Sequence, residues 1–282
     1  MIYIGDNKFQ EALQTLDNMI EFNPEIFEGH HYKILVNIEL ENYLEAEKTL
    51  IKAMGLFPDD DGFILDKIML LEKQGKYDEA LDLIDIRYNN SENKTVLLEK
   101  AKILLAKDRI DDSVLLFEKV KDAEENFDEE TRVYLINIYI NTDKVSKALD
   151  YSKEIIANGE ESSFYFASVY YKALCLGKLG KVVEAKAAYE EAIKIFRFAS
   201  SANPGMLDII MYRALCYKEL KNYDKAFEMV NYLLAIDEDI AEAYLIRSEL
   251  YKVLNENDKA EADRSTATSK SKLLGTLINS SS

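Results

Sequence analysis

The chain has 282 residues, with 52 acidic against 35 basic side chains, a formal net charge of −17, ten Gly, three Pro, two Cys and no Trp. So acidic a chain offers no basic stripe to release counterions from a phosphate backbone, which excludes nucleic acid as an expected partner. No apolar run approaches the ~18 residues of a membrane span and Met1 opens without a signal peptide's charged-then-apolar layout, so a cytoplasmic chain without membrane insertion is expected, while the scarcity of Gly and Pro points to an all-α chain with little linker.

Small residues return along the chain at Ala12, Ala46, Ala80, Ser113, Ala148, Ala185, Ala226 and Ala260, at intervals of 34, 34, 33, 35, 37, 41 and 34 residues. A period of this length marks stacked supersecondary units. A large or apolar residue stands three positions before each: Phe9, Tyr43, Tyr77, Ile110, Val145, Val182 and Tyr223, with Asn257 the exception. Twelve positions before the second and later members lie Ile34, Ile68, Ala101, Ile136, Ala173, Ala214 and Ser248. Offsets of three, four and seven, with polar breaks between halves, predict two amphipathic helices per repeat.

In chain order the repeats run over approximately 1–26, 27–60, 61–93, 94–128, 129–165, 166–206, 207–240 and 241–274, with a short tail at 270–282, as a single 1–282 solenoid. Residues 1–8 hold only the last turn or so of a first helix. That leaves Phe9, Leu13 and Leu16 short of a partner, and leaves room for an upstream segment, a removed secretory signal included. Pro24 and Pro58 fall where second helices should stop. The repeats around Ser113 and Ala148 are the most degenerate. The 41-residue interval predicts lengthened helix ends around Phe196 and a bend near Pro204-Gly205. Arg264 and Thr268 replace apolar residues in the last second helix, which predicts a polar, self-capped end.

This pattern resembles the tetratricopeptide repeat family over nearly the whole chain. The best-matching units are Phe27 to Asp60, Phe166 to Ile195 and Leu207 to Ile240. In the second, Ala173, Leu176, Gly180, Val182, Ala185, Tyr189 and Ala192 occupy the family's signature places. The chain departs from the family in having no Trp: its first helices begin on His30, Ile64, Leu97, Arg132, Val169, Ile210 and Tyr244. A helical-repeat family with longer helix pairs is the alternative. The resemblance implies a right-handed α-solenoid of about seven and a half helix-turn-helix repeats whose first helices line a concave, peptide-binding face.

Residue types that carry chemistry do not gather. His30 and His31 are neighbours on one helix and cannot chelate as an i, i+4 pair; His30 is expected between repeats and His31 in the groove. Gly177 to Lys181 lacks both the gap and the Ser or Thr of a phosphate loop. Cys175 and Cys216 fall at equivalent places in adjacent repeats and read as buried small hydrophobes in a reducing compartment. Asn89-Asn90-Ser91, Asn93-Lys94-Thr95 and Asn279-Ser280-Ser281 match the short glycosylation pattern. No enzyme, cofactor or metal is expected.

The family geometry places thirteen residues of the first helices in the groove as partner-binding candidates. They are His31, Tyr32 and Leu35; Leu65 and Met69; Tyr134 and Asn137; Tyr170, Tyr171 and Leu174; and Met211, Tyr212 and Leu215. Asp66, Leu98, Lys102, Val133, Leu245, Ile246 and Glu249 share that face. Tyr32, Tyr134, Tyr171 and Tyr212 take one equivalent place where the family more often has a small polar amide, which predicts an aromatic groove. The basic clamp that some members use for carboxylate tails is not matched: its positions read His31, Leu35, Asp66, Thr95 and Glu99 in the second to fourth repeats, and Val133, Asn137, Tyr171, Asp208 and Tyr212 in the fifth to seventh, where only Asn137 fits. The expected function is a noncatalytic scaffold or adaptor holding an apolar or aromatic-rich peptide. The alternatives are a self-assembling module, whose solenoid ends or acidic edges join copies, with self-association through the N-terminal end expected, and the sensor half of a regulator whose effector lies outside this chain.

Overall fold

A computed structural model of the chain describes residues 6–58, 60–88, 92–122 and 129–270. The expectations for residues 1–5, 59, 89–91, 123–128 and the tail beyond Lys270 lie outside the described residues, the glycosylation patterns at 89–91 and 279–281 among them.

Fifteen α-helices and no strand occur among the described residues, which makes this an all-α helical repeat solenoid. The chain divides into two compact units, Met1–Ala123 and Glu124–Ser282. The first holds α1 (Asp6–Phe22) and the pairs α2 (Phe27–Glu39) with α3 (Tyr43–Leu56), α4 (Asp61–Lys73) with α5 (Tyr77–Arg87), and α6 (Lys94–Ala106) with α7 (Ile110–Asp122). The second holds α8 (Glu129–Tyr139) with α9 (Val145–Ala157), α10 (Tyr165–Lys178) with α11 (Val182–Ala202), α12 (Leu207–Glu219) with α13 (Tyr223–Ile236), and α14 (Ala241–Val253) with α15 (Asn257–Lys270).

Nearly every pair is closed by the same three-residue turn. Its middle residue is left-handed: Glu41, Gly75, Asp108, Gly180, Lys221 and Asn255, with φ between 55° and 74°. The following N–H then donates to the carbonyl five residues back, as from Lys76 to Leu71 at 2.8 Å and from Asn222 to Tyr217 at 2.8 Å. This bond uses carbonyls that a helix end leaves without partners. Repeat five is the exception. Its connection runs over residues 140–144, with the Thr142 hydroxyl accepting from Lys144 N at 3.2 Å.

Both columns of small and branched residues are interior. Ile34, Ile68, Ala101, Ile136, Ala173 and Ala214 on first helices are fully buried, as are Ala46, Ala80, Ser113, Ala148 and Ala226 on second helices. Where two helices approach this closely, a larger side chain has no room. In the first unit, Phe27, Phe57 and Phe63 close the corner between α2, α3 and α4, with ring centroids 4.6 to 6.2 Å apart. Gly62 permits that corner: a Cβ there would come within 2.8 Å of the Phe27 ring. Beside it, Asp60 caps α4 by accepting from Gly62 N at 2.8 Å.

At the N-terminal end, α1 packs on α2 and buries Leu16, while Phe9 and Leu13 are half-buried. In the second unit, α11 runs for 21 residues and seats a fully buried Phe196 before the turn through Pro204. The last pair is tied by polar groups. Arg247 donates to both carboxylate oxygens of Asp263 at 2.6 and 2.8 Å, and to Asn231 at 3.1 Å. Among the described residues no helix is long and apolar enough to cross a membrane.

Candidate functional site

The first helices carry the candidate residues, and a simple step relates neighbours. In two places the position three before a column residue meets the position two before the next repeat's column residue. In the first unit this brings His31 of α2 to Asp66 of α4, Nδ1 to carboxylate at 2.9 Å. His31 also stacks on Phe27 at 5.6 Å and leans on Tyr32 at 5.3 Å. Burial pushes the Asp66 carboxyl upward, against the lowering effect of the His31 hydrogen bond and charge. His30 is buried, and its Nε2–H donates to the Pro24 carbonyl at 2.9 Å. Nearly two turns further along α4, burial and then the nearby Glu99 raise the Glu72 carboxyl, while Glu99 itself pairs with Lys102 at 3.1 Å.

The remaining candidates of the first unit differ in exposure. Tyr32 is 53% exposed, whereas Leu35, Leu65 and Met69 are half-buried. Leu65 and Met69 pack against the apolar clusters around Ile68 and Phe63, so much of their surface already serves the core. The face at α4 and α6 is ionic rather than aromatic.

In the second unit the same step brings Tyr170 of α10 to Tyr212 of α12, stacked with centroids 5.7 Å apart and planes at 28°. Tyr171 lies 5.7 Å from Tyr170 and hydrogen-bonds Asn137 of α8, which in turn donates to the Val133 carbonyl at 3.0 Å. The structure therefore joins Asn137, Tyr170, Tyr171 and Tyr212 in one cluster. Leu174, Met211 and Leu215 on the same two helices are half-buried, as is Tyr134 of α8. Burial raises the hydroxyl pKa of Tyr170, Tyr171, Tyr189 and Tyr212, so all four phenols stay neutral through the physiological range.

One candidate changes role. Tyr170, expected on the groove surface, is only 6% exposed, because its ring fills the space between Tyr171, Tyr189 and Tyr212. It supports the surface and does not form it. Two residues of α11 were missing from the expectation. Tyr189 lies 6.4 Å from Tyr170, and Phe196 lies 6.0 Å from Tyr212. Phe196 sits in the lengthened end of α11, so the irregular 41-residue interval was the available signal.

Cys175 and Cys216 are free and fully buried in this unit. Burial pushes the Cys175 thiol up to about 11 and raises that of Cys216 further, which suppresses thiolate chemistry at neutral pH.

Residues 167–197, the body of α10 with most of α11, match the family model of the tetratricopeptide repeat. The human protein sperm-associated antigen 1 is 31% identical over 124 residues, which is 44% of this chain; the chain spans 12% of that protein's length. A tetratricopeptide repeat protein from Parabacteroides merdae has a similar fold, with a TM-score of 0.63 at 18% identity over 95% of this chain and 99% of that one. A thermophilic repeat protein from Thermus thermophilus covers 66% of this chain and 99% of its own, at 22% identity and a TM-score of 0.51. Yeast Tom70 has a TM-score of 0.56 at 15% identity, over 97% of this chain and 58% of its own.

Proposed function

For a chain that carries the tetratricopeptide repeat and folds as that family does, we propose a noncatalytic scaffold that holds an apolar or aromatic-rich peptide segment on the first helices of its second unit. The fold itself supports a protein–protein interaction scaffold in general. What supports the finer reading is the arrangement at α10 and α12. Half-buried Tyr171, Tyr212, Met211, Leu174 and Leu215 lie beside rings that are themselves fixed, Tyr170 and Phe196. Rings held by packing lose little entropy when a ligand covers them, and such rigid aromatic surfaces favour recognition.

The test is selection from a displayed peptide library on the purified chain, followed by affinity measurement for the selected peptide. An aromatic or aliphatic consensus is expected, and Tyr171→Ala and Leu215→Ser should each weaken binding about tenfold, some 1.4 kcal/mol. A purely charged consensus, or affinities unchanged by both variants, would exclude this face. A second reading, self-association through the N-terminal end, is favoured by Phe22, which is 93% exposed at the end of α1. Sedimentation of wild type against Phe22→Ser decides it: a dimer that the substitution dissociates supports it, and a monomer at high concentration rejects it.

A further inference from the structure

The second helices of the first unit carry a feature that peptide binding on the first helices does not use. Between α5 and α7, backed by α6, lies a cleft of about 370 Å³. Its floor is apolar: Leu81 and Leu104 are buried, Leu116 is half-buried, and Leu115 stands 69% exposed at the edge. Its rim is acidic. Asp78, Asp82 and Asp85 follow one another at helical spacing along one face of α5, and Asp112 adds a fourth carboxylate from α7.

Two cations line the same cleft, and both are engaged. Lys100 pairs with Asp85, and Arg109 holds Asp112 at 2.6 Å. Lys107 reaches Asp78 at 2.5 Å. Asp82 has no ion pair among the described residues. Like charges three and four residues apart on a helix are mildly destabilising, and an exposed leucine over an open apolar floor adds nothing to folding. Both features gain a use when the cleft is covered by a chain of opposite charge.

We propose that this cleft docks a basic amphipathic segment of a partner protein. One aliphatic side chain of that segment enters between α5 and α7, against Leu104, Leu115 and Leu116. Its flanking Lys or Arg residues meet Asp82 and compete with Lys100 and Arg109 for Asp85 and Asp112. The volume is near the small end of ligand cavities, about 300–1,000 Å³, which suits one or two side chains and not a whole helix. A second copy of the chain is a poor occupant, because a net charge of −17 sets like charge against like charge. For a cationic segment the same field raises the association rate.

The experiment uses the full chain and a labelled synthetic peptide with Lys and Leu at helical spacing, read by fluorescence anisotropy at about 0.15 M salt. The control peptide keeps the Lys residues and replaces Leu with Ser. Saturable binding of the first peptide, at least about tenfold tighter than the second, is expected. Asp82→Lys and Leu115→Ser should each weaken it about tenfold with helicity and thermal midpoint unchanged, since both side chains are exposed. Tyr171→Ala should leave it unchanged, which separates this surface from the groove. No binding, equal binding of the two peptides, or binding indifferent to both variants would overturn the proposal. So would a dimer that Leu115→Ser dissociates, because the occupant would then be a second copy.

Discussion

Ser113 Oγ donates a 2.8 Å hydrogen bond to the carbonyl of Ala101, twelve residues earlier and buried with it on the facing helix. The last repeat has the same bond reversed: there the first helix supplies the hydroxyl, from Ser248 to the Ala260 carbonyl at 2.7 Å. The two small-residue columns therefore touch inside each of these repeats, and a serine on either side can bridge them. Ser113→Ala should cost about 1 kcal/mol, the net worth of a typical bond of this kind. Ala226→Phe, fully buried with no bridging role, should cost at least the ~1–3 kcal/mol of overpacking. Urea midpoints of both variants check the register; if Ala226→Phe leaves the midpoint unchanged, the column is misassigned.

The left-handed turn residue offers a stabilising change. Lys221 sits at φ 57°, where a Cβ is unfavourable by about 1–2 kcal/mol. Lys221→Gly should raise stability by about 1 kcal/mol after the added freedom of glycine in the unfolded chain is subtracted. Gly75→Ala, at φ 72° with open space around it, should lower stability through backbone strain alone. Thermal midpoints moving in opposite directions would establish the turn as a repeated device.

Acid titration should expose the ionic face of the first unit. Burial raises the Glu72 carboxyl above its ordinary 4.5, so the folded chain binds a proton more readily than the unfolded chain. Its favourable contribution is fully present below pH 4.5 and is lost as pH rises through the raised value. Glu72→Gln should therefore stabilise the chain at neutral pH, with the gain fading as pH falls through the raised value and absent below 4.5. A gain that persists in acid would mean that Gln acts by packing instead.

Tyrosines at the equivalent position should separate into supporting rings and surface rings. Tyr212 stacks on Tyr170 and lies against Phe196, so Tyr212→Ala should cost about 3 kcal/mol, as for other large aromatic truncations. Tyr32 is 53% exposed, and Tyr32→Ala should stay within about 0.5 kcal/mol. Guanidinium unfolding of the two variants checks this. A near-neutral Tyr212→Ala would mean that the ring only forms part of the proposed binding face and does not also support it.

The helix pairs were readable because small residues must recur wherever two helices cross closely, and Ala46, Ala80 and Ala226 did so regardless of their surroundings. The three-residue turns were readable as polar breaks. Their left-handed residue was not, because Glu41, Asp108 and Lys221 carry no local mark of positive φ. A residue's position within one helix carries no information about what a neighbouring helix covers. Tyr170 was therefore placed on a surface that Tyr189 and Tyr212 close off. His31 and Asp66 were both placed inward, but their pairing depends on the offset between repeats, which periodicity leaves open. The cleft between α5 and α7 depends on Leu115 and four aspartates that a sequence reads as ordinary solvent-facing residues.

Because the turns are short, the helices packed together are neighbours along the chain or next but one, as α2 with α3 and α4, or α10 with α11 and α12. Contacts so local in sequence need little loop closure, which favours fast folding that can nucleate at any repeat. The same locality limits cooperativity. A lesion in one repeat weakens its neighbours first and distant repeats scarcely at all, so a denaturation curve for this chain need not be a single step.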